Sequence, residues 1–393
     1  MRRLVPLLLA CALTAVGCRS ADYDRPLPEG AAALIPLPAG WDSPDVAESW
    51  QRRAELAPAL ERSITWLRRP HTQRFFPQAG MTHERVLASC VRLAELLEDS
   101  SDGEEFQRAF DQEFEVFVSA GWNGRGGGVL FTAYYTPVFE GSLTESDAYH
   151  WPLYAKPDDL VTDADGRVLG IASLEGKPYP SRRAIEKYHL LENRDLELVW
   201  LRDPLDAYLC HVQGSAVISL PDGEELRLGF GGTNGREYTS LAAALVEDKQ
   251  LDAGARGIPA IRAWASANPE RVEEYLHRNE RYTFFTPIDG RPHGSLDFPV
   301  EPLASLATDK TVFPRGAPVF VDADLSTGVG ASTRPLNAIL LDQDTGGGIR
   351  TAGRADIYVG VGDEAGSVAG RTASEGQLYY LMLREDLVPL YSR

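Results

Sequence analysis

From Val129 onward the chain is a succession of short β-forming runs, each cut off by glycine or proline, and this constrains the fold more than any other feature. "VLFTAYYTPVFEGS", "HWPLYAK", "LELVWL", "DAYLCHVQGSAVISL" and "PDGEELRLGFGG" follow one another to about residue 235. Runs of this length, bounded by turn residues, read as short β-strands. Pro221-Asp222-Gly223 joins two alternating runs as a hairpin. A helical spacer follows, "IPAIRAWASANPERVEEYLHRN", broken and restarted at Asn268-Pro269, and beyond it the short strands and Gly/Pro turns return. Upstream, "THERVLASCVRLAELLED" predicts a helix with Thr82 as N-cap and Val86, Cys90, Leu93 and Leu97 on one face. "EEFQRAFDQEFEVFVSAG" places Phe106, Phe110, Phe114 and Phe117 on one helical stripe that stops at Gly121. A helical start, a β-rich middle, a helical spacer and a β-rich end predict a mainly β protein of two β domains, not a parallel α/β sheet.

The 393 residues leave room for two or three domains. The first of them, "MRRLVPLLLACALTAVGC", put two arginines before an apolar run and Gly17-Cys18, the form of a secretory signal over residues 1–17. A cysteine after a small residue at the end of such a run predicts lipidation of Cys18, so that the mature chain is anchored to a membrane without crossing it. Arg19, rather than aspartate, after that cysteine predicts the outer membrane, facing the periplasm. Residues 18–42, rich in Pro, Gly and Ala, read as a tether. The formal net charge of −18 argues against nucleic acid and anionic lipid as partners. Cys90 and Cys210 have no CxxC spacing and read as buried free thiols, with one disulfide between them in an oxidising compartment as the alternative.

Several chemistries drop out. The seven histidines are scattered, with no HExxH and no Cys/His cluster, so no metal is expected. No phosphate-binding loop, dinucleotide fingerprint or GxSxG elbow is present, and no cofactor is expected. "DADLSTGVGAST" from Asp322 has Thr327 and Thr333 where a calcium loop needs Gly and Glu, and reads as a polar turn. Asp344-Thr345-Gly346 is also the tripeptide of aspartic proteases, but a single copy followed by Gly347 would need a homodimer with the site on its axis.

What remains is an isolated acid on a strand. In "RADIYVG" period-two alternation puts Asp356 and Tyr358 on one face and Ile357 and Val359 on the other. The apolar pair can pack on a core while Asp356 and Tyr358 line an opening. A partly desolvated carboxyl near Asp344 would have a raised pKa, the requirement for a general acid at a glycosidic oxygen.

The chain from Tyr134 to its C-terminus resembles the membrane-bound lytic murein transglycosylase A family. The resemblance rests on "FTAYYTPVFEGS", "WPLYAKPDDLV", "SRRAIE", "DAYLCHVQGSAVISLPDG", "LGFGGTNGREYTSL", "IRAWASANPERVEEYLHRNERYTFF", "SLATDKTVFPRGAPVFV" and "DQDTGGGIRTAGRADIYVGVGDEAG", in order and at compatible spacing. It implies a double-psi β-barrel whose first part, with a helical region, lies in residues 43–135 and whose second part is residues 285–393. Between them, residues 136–284 would form an inserted, glycan-binding, β-barrel-like domain with helices.

The resemblance also implies three site aspartates, Asp309, Asp344 and Asp356, with Asp356 as the single acid/base. The implied activity is that of a peptidoglycan lytic exotransglycosylase. It would cleave the β-1,4 bond between N-acetylmuramic acid and N-acetylglucosamine and close a 1,6-anhydro ring without water. Glycan contacts carried over are Tyr134, Tyr135, Gln213, Ser215 and the loop Gly231 to Asn234, including Gly232, with Tyr358 on the acid's own face. Departures from the family pattern are Ala216 for glycine, Thr233 for lysine and Thr351 for glycine. Implied partners are glycan strands and proteins of cell-wall synthesis or division. A non-catalytic wall-binding protein and a glycan hydrolase are the alternatives.

Overall fold

Six strands close on themselves around one apolar core. In this computed structural model, which describes residues 22–163, 167–174, 176–252 and 257–392, Val129–Thr136 runs parallel to Arg354–Val361. The ring continues through Ser305–Ala307, Thr333–Asp344, Pro318–Ser326 and Ala373–Leu383, and the last returns to the first by pairing Ala373 with Thr132. This is the double-psi β-barrel, and closure leaves none of the six strands with an open edge. Its core includes Phe131, Leu306, Val321, Leu340, Ile357 and Leu378. The helix His83–Asp99 packs beside it, with Thr82 Oγ1 accepting from the Arg85 amide at 3.2 Å and with Val86, Cys90, Leu93 and Leu97 buried.

The chain leaves the barrel at Thr136 and enters a second sheet at Val138 without a break. That sheet orders Thr283–Pro287, Glu225–Thr233, Ala216–Ser219, Val138–Ser142, Glu197–Leu201 and Trp151–Tyr154. A lone parallel bridge between Ala155 and Phe285 brings its two ends together, so it is barrel-like. The predicted hairpin is present: Glu225 pairs with Ser219, and Gly223 takes φ +89° in the turn. The spacer helix ends at Ala267 and a second begins at Val272, as the Asn-Pro break implies. Cys90 and Cys210 are both buried and free.

Four expectations need correction. The phenylalanine stripe is helical only over Gly103–Glu113; Phe114–Ser119 is a strand paired with Ala373–Leu383, because "FEVFVS" is β-branched and aromatic enough to join the sheet. "DAYLCHVQ" is not β-like but lies in the helix Pro204–Gln213. Asp203 caps that helix, with Pro204 in its first turn, and Gly214 ends it at φ +76°. Asp322 to Ser326 is strand, and the turn is only the six residues that follow.

The fourth correction concerns the tether. From residue 22 it lies on the barrel, and Leu34–Pro36 pairs with Phe117–Ser119, burying Ala33 and Leu34. Thr351 Oγ1 donates to the Tyr23 carbonyl at 2.8 Å, the Tyr23 hydroxyl donates to Glu375, and Arg354 meets Asp24 at 3.2 Å. Gly353 is required beneath this strap, since a Cβ there would stand 2.5 Å from the Tyr23 carbonyl oxygen. Residues 1–17 and Cys18 lie outside the described residues.

Candidate active site

Ala307 is the pairing partner of Asp344 on one side and of Asp356 on the other, and Asp356 pairs in turn with Thr132. Asp344 and Asp356 are therefore two strand spacings apart, about 10 Å along the sheet. Thr132 and Tyr134 share one face of their strand and stand beside Asp356 and Tyr358 in register. The barrel itself fixes this row, since all four strands belong to the closed ring.

The three aspartates are engaged very differently. Asp309 is buried and accepts from the Thr311 amide and hydroxyl at 2.9 and 2.7 Å and from the Thr351 amide at 2.8 Å. Asp344 accepts from the Ser295 amide, the Thr345 amide and the Tyr134 hydroxyl, each at 2.8 Å. These two carboxylates hold the two ends of the Thr345–Thr351 loop. Asp356 is partly buried and has one side-chain partner among the described residues, the Thr132 hydroxyl, which donates to it.

Burial pushes the Asp356 carboxyl above its ordinary range, against opposing pulls from the Arg354 charge and the Thr132 hydroxyl. Burial likewise raises Asp344, opposed by its three donors and by Lys310. Beside Asp344, burial and the carboxylate's charge hold the Tyr134 hydroxyl well above its usual value, so it remains a donor. Lys310 forms a buried ion pair with Asp342, which also accepts from Thr308 and Tyr380 at 2.8 and 2.7 Å.

Across from this row stands the inserted sheet's module. A Cβ on Gly348 would meet the Tyr238 ring at 3.2 Å, and one on Gly347 would meet Arg281 Nε at 2.9 Å. Gly347 and Gly348 thus let the barrel loop approach the insert closely, where a side chain would press on Arg281 and Tyr238. The Asp356 charge is felt at Tyr238, adding to the burial that raises that hydroxyl. The acid therefore faces the seam between the modules.

The other carried-over residues fare unevenly. Tyr134 stands at the row, but Tyr135, one residue on, points the opposite way and packs on Ala365 and Ala369. Tyr358 was expected to line an opening; it is only 2% exposed, its ring lies 5.1 Å from that of Tyr134, and its hydroxyl bonds Thr136. Gln213 accepts from the Tyr135 amide at 3.1 Å, and Ser215 sits 3.3 Å from the Thr136 hydroxyl, so both fasten the junction of the modules. Gly232 lies at a bulge with φ +148°, beside the Lys156 stem.

Asn234 is 1% exposed and its amide is fully used. It donates to the Pro180 and Glu280 carbonyls and accepts from the Tyr282 and Arg236 amides. It is a clasp within the insert and has no capacity left for a sugar. Two departures have local accounts: Thr233 accepts from the Gly235 amide at 3.2 Å, and Thr351 sits at φ +70°, where glycine is the easier residue. Sequence reading missed Thr132, Tyr238 and Arg281. Thr132 carried a signal, being two residues before Tyr134 on the same strand face; the other two are brought in only by tertiary structure.

Two family models match the chain, the MltA specific insert domain over residues 130–286 and the 3D domain over residues 304–382. Together they cover more than half of it. The chain belongs to the membrane-bound lytic murein transglycosylase A family. Among curated members of that family, the membrane-bound lytic murein transglycosylase A of Vibrio cholerae is 29% identical over 271 residues, 68% of each chain. The Escherichia coli protein of the same name is 29% identical over 265 residues, 65% of this chain and 66% of its own. A membrane-bound lytic murein transglycosylase from Agrobacterium tumefaciens, solved as a crystal structure, is 28% identical with a TM-score of 0.73, covering 88% of this chain and 97% of its own. Escherichia coli MltA, solved with bound chitohexaose, is alike in fold: TM-score 0.66 at 22% identity, covering 92% and 96%.

Proposed function

We propose that this protein is a lytic transglycosylase of peptidoglycan, with Asp356 as its acid and base. The observation that carries the assignment of the acid is the contrast among the three aspartates. Asp309 and Asp344 are each tied by three donors, whereas Asp356 has one, faces the seam and is raised by burial. A carboxyl whose burial favours the protonated form can protonate the glycosidic oxygen between N-acetylmuramic acid and N-acetylglucosamine.

As positive charge builds at C1, the Asp356 carboxylate left behind stabilises it and then takes the proton of the muramic acid C6 hydroxyl. That hydroxyl attacks C1 and closes the 1,6-anhydro ring, so the protons balance and no water enters. The nucleophile belongs to the substrate, which removes the need for a second catalytic carboxylate. Effective molarities of well-held groups reach roughly 10⁵ M or more, enough for the C6 hydroxyl to outrun water. Tyr134 and Asp344 order the wall beside the acid, and Asp309 holds the far end of the same loop. Relatives named lytic murein transglycosylase A, and a fold relative crystallised with chitohexaose, support this reading.

The chain resides at the outer membrane in this reading, lipid-anchored through Cys18 after removal of residues 1–17 and facing the periplasm, with proteins of wall synthesis or division as neighbours. The relatives are named membrane-bound, and among the described residues no helix is long and apolar enough to cross a membrane.

The test of the activity is mass spectrometry of muropeptides released from purified sacculi. Products ending in 1,6-anhydro-N-acetylmuramic acid, one water lighter than hydrolysis products, are expected. Reducing-end muramic acid as the main product would make the protein a hydrolase. Retained binding to sacculi without any cleavage would make it a wall-binding protein.

A further inference from the structure

Several arginines of the two modules are answered by acids. Arg354 meets Asp24 at 3.2 Å, Arg236 meets Glu280 at 3.5 Å, Arg278 meets Asp248 at 2.5 Å, and Arg291 pairs with Glu301. Arg281 and Arg350 are exceptions. Neither forms an ion pair with another described residue. Arg281 comes from the insert and lies against the Gly347 backbone; among the described residues its guanidinium makes one hydrogen bond, a long one of 3.4 Å to the Arg236 carbonyl. Arg350 is exposed at the end of the barrel loop that begins with Thr345. Arg281 packs on Gly347, three residues before Arg350 on the same loop; burial pushes the Arg281 guanidinium down, the Arg350 charge pushes it further, and Glu237 opposes.

Two like charges held near one another, one from each module, are unfavourable until an anion sits between them. This is also a chain with a net charge of −18, whose general field repels an anionic substrate. We propose that Arg281 and Arg350 form an anion subsite at the rim of the seam that takes a free carboxylate of the peptide stem on the glycan strand. The inference rests on the transglycosylase reading and specifies its substrate as the peptide-bearing strand. The N-acetylated sugars are uncharged, and in an intact strand the lactyl carboxyl is amide-linked, so the free carboxylates are those of the stem. Guanidinium groups offer the forked donors that match a carboxylate.

The experiment is calorimetric binding to the Asp356→Asn protein, which leaves strands uncut. Three probes are compared: intact strands, strands whose stem carboxylates have been amidated, and strands stripped of their stems, which carry free lactyl carboxylates. Amidation and stripping should each weaken binding about tenfold or more. In the same background Arg350→Gln should bring intact strands down to the affinity of amidated ones, with little further loss on amidated strands. Equal affinity for intact and amidated strands overturns the proposal, and this comparison needs no substitution at either arginine. Stripped strands binding as tightly as intact ones overturn the stem as the source of the anion. If the wild-type protein forms no anhydro product yet its Asp356→Asn form discriminates intact from amidated strands, the transglycosylase reading fails and the subsite stands.

Discussion

A carboxyl between Ala307 and Thr132 on neighbouring strands has the Arg354 charge and one hydroxyl to stabilise its ionised form and a buried setting that disfavours it. Two predictions belong to that residue. Asp356→Asn should lower turnover about 100- to 10,000-fold, and further if one group serves as both acid and base; residual activity above a tenth of wild type would assign the acid elsewhere. The Thr132 hydroxyl donates to the carboxylate and so favours the ionised form. Thr132→Val should therefore raise the pKa of Asp356 and move the high-pH fall of kcat/KM to higher pH, whereas a shift to lower pH would contradict the geometry. The same sign governs stability. A raised folded pKa means the folded chain holds this proton more tightly than the unfolded chain. Stability is thus lost as pH rises from the unfolded value through the folded one, and Asp356→Asn, freed of that loss, should melt no lower than wild type at neutral pH.

Asn234 shows how an element can look like a site. Its amide closes four hydrogen bonds to backbone groups around residues 180, 236, 280 and 282, and the loop's shape depends on it. Asn234→Ala should cost about 2–4 kcal/mol of stability in denaturant unfolding, through backbone groups left unpaired. A raised KM for strands with unchanged stability would restore it as a glycan contact. The elements most legible in the sequence were those with local signals: the Thr82 cap and its helix, the hairpin at Pro221–Gly223, the break at Asn268-Pro269. Where two local codes competed, sequence reading lost. "FEVFVS" continues a helical spacing of phenylalanines but alternates as a strand, and only its pairing with Ala373–Leu383 decides between them. "DAYLCHVQ" has β-forming side chains, yet Asp203 and Gly214 bound it as a helix.

For the molecule as a whole, the barrel divides its chain around an insert, and at the seam between the two the barrel loop carrying Gly347 and Gly348 meets Arg281 and Tyr238 beside Asp356. The acid could be picked from sequence because it breaks a strand's apolar pattern. Its companions could not, since Tyr238 and Arg281 are over seventy residues away along the chain and local patterns hold no trace of that approach. Cys18→Ser should move the protein from the membrane fraction to the soluble periplasmic fraction; continued membrane association would point to another anchor.

The strap over Gly353 changes how far such an anchor would let the protein range. A free linker from Cys18 to residue 42 would be a leash of about 80 Å when fully drawn out. With Tyr23 fastened to Thr351 and Glu375, the leash shortens to the five peptide units between Cys18 and Tyr23, about 17 Å at most. The fastening point lies on the same stretch of chain as Asp356, three residues beyond Gly353. A lipid at Cys18 would therefore confine cutting to the wall material nearest the membrane, and the boundary of that zone would be drawn by the strap's hydrogen bonds, not by the length of the leader.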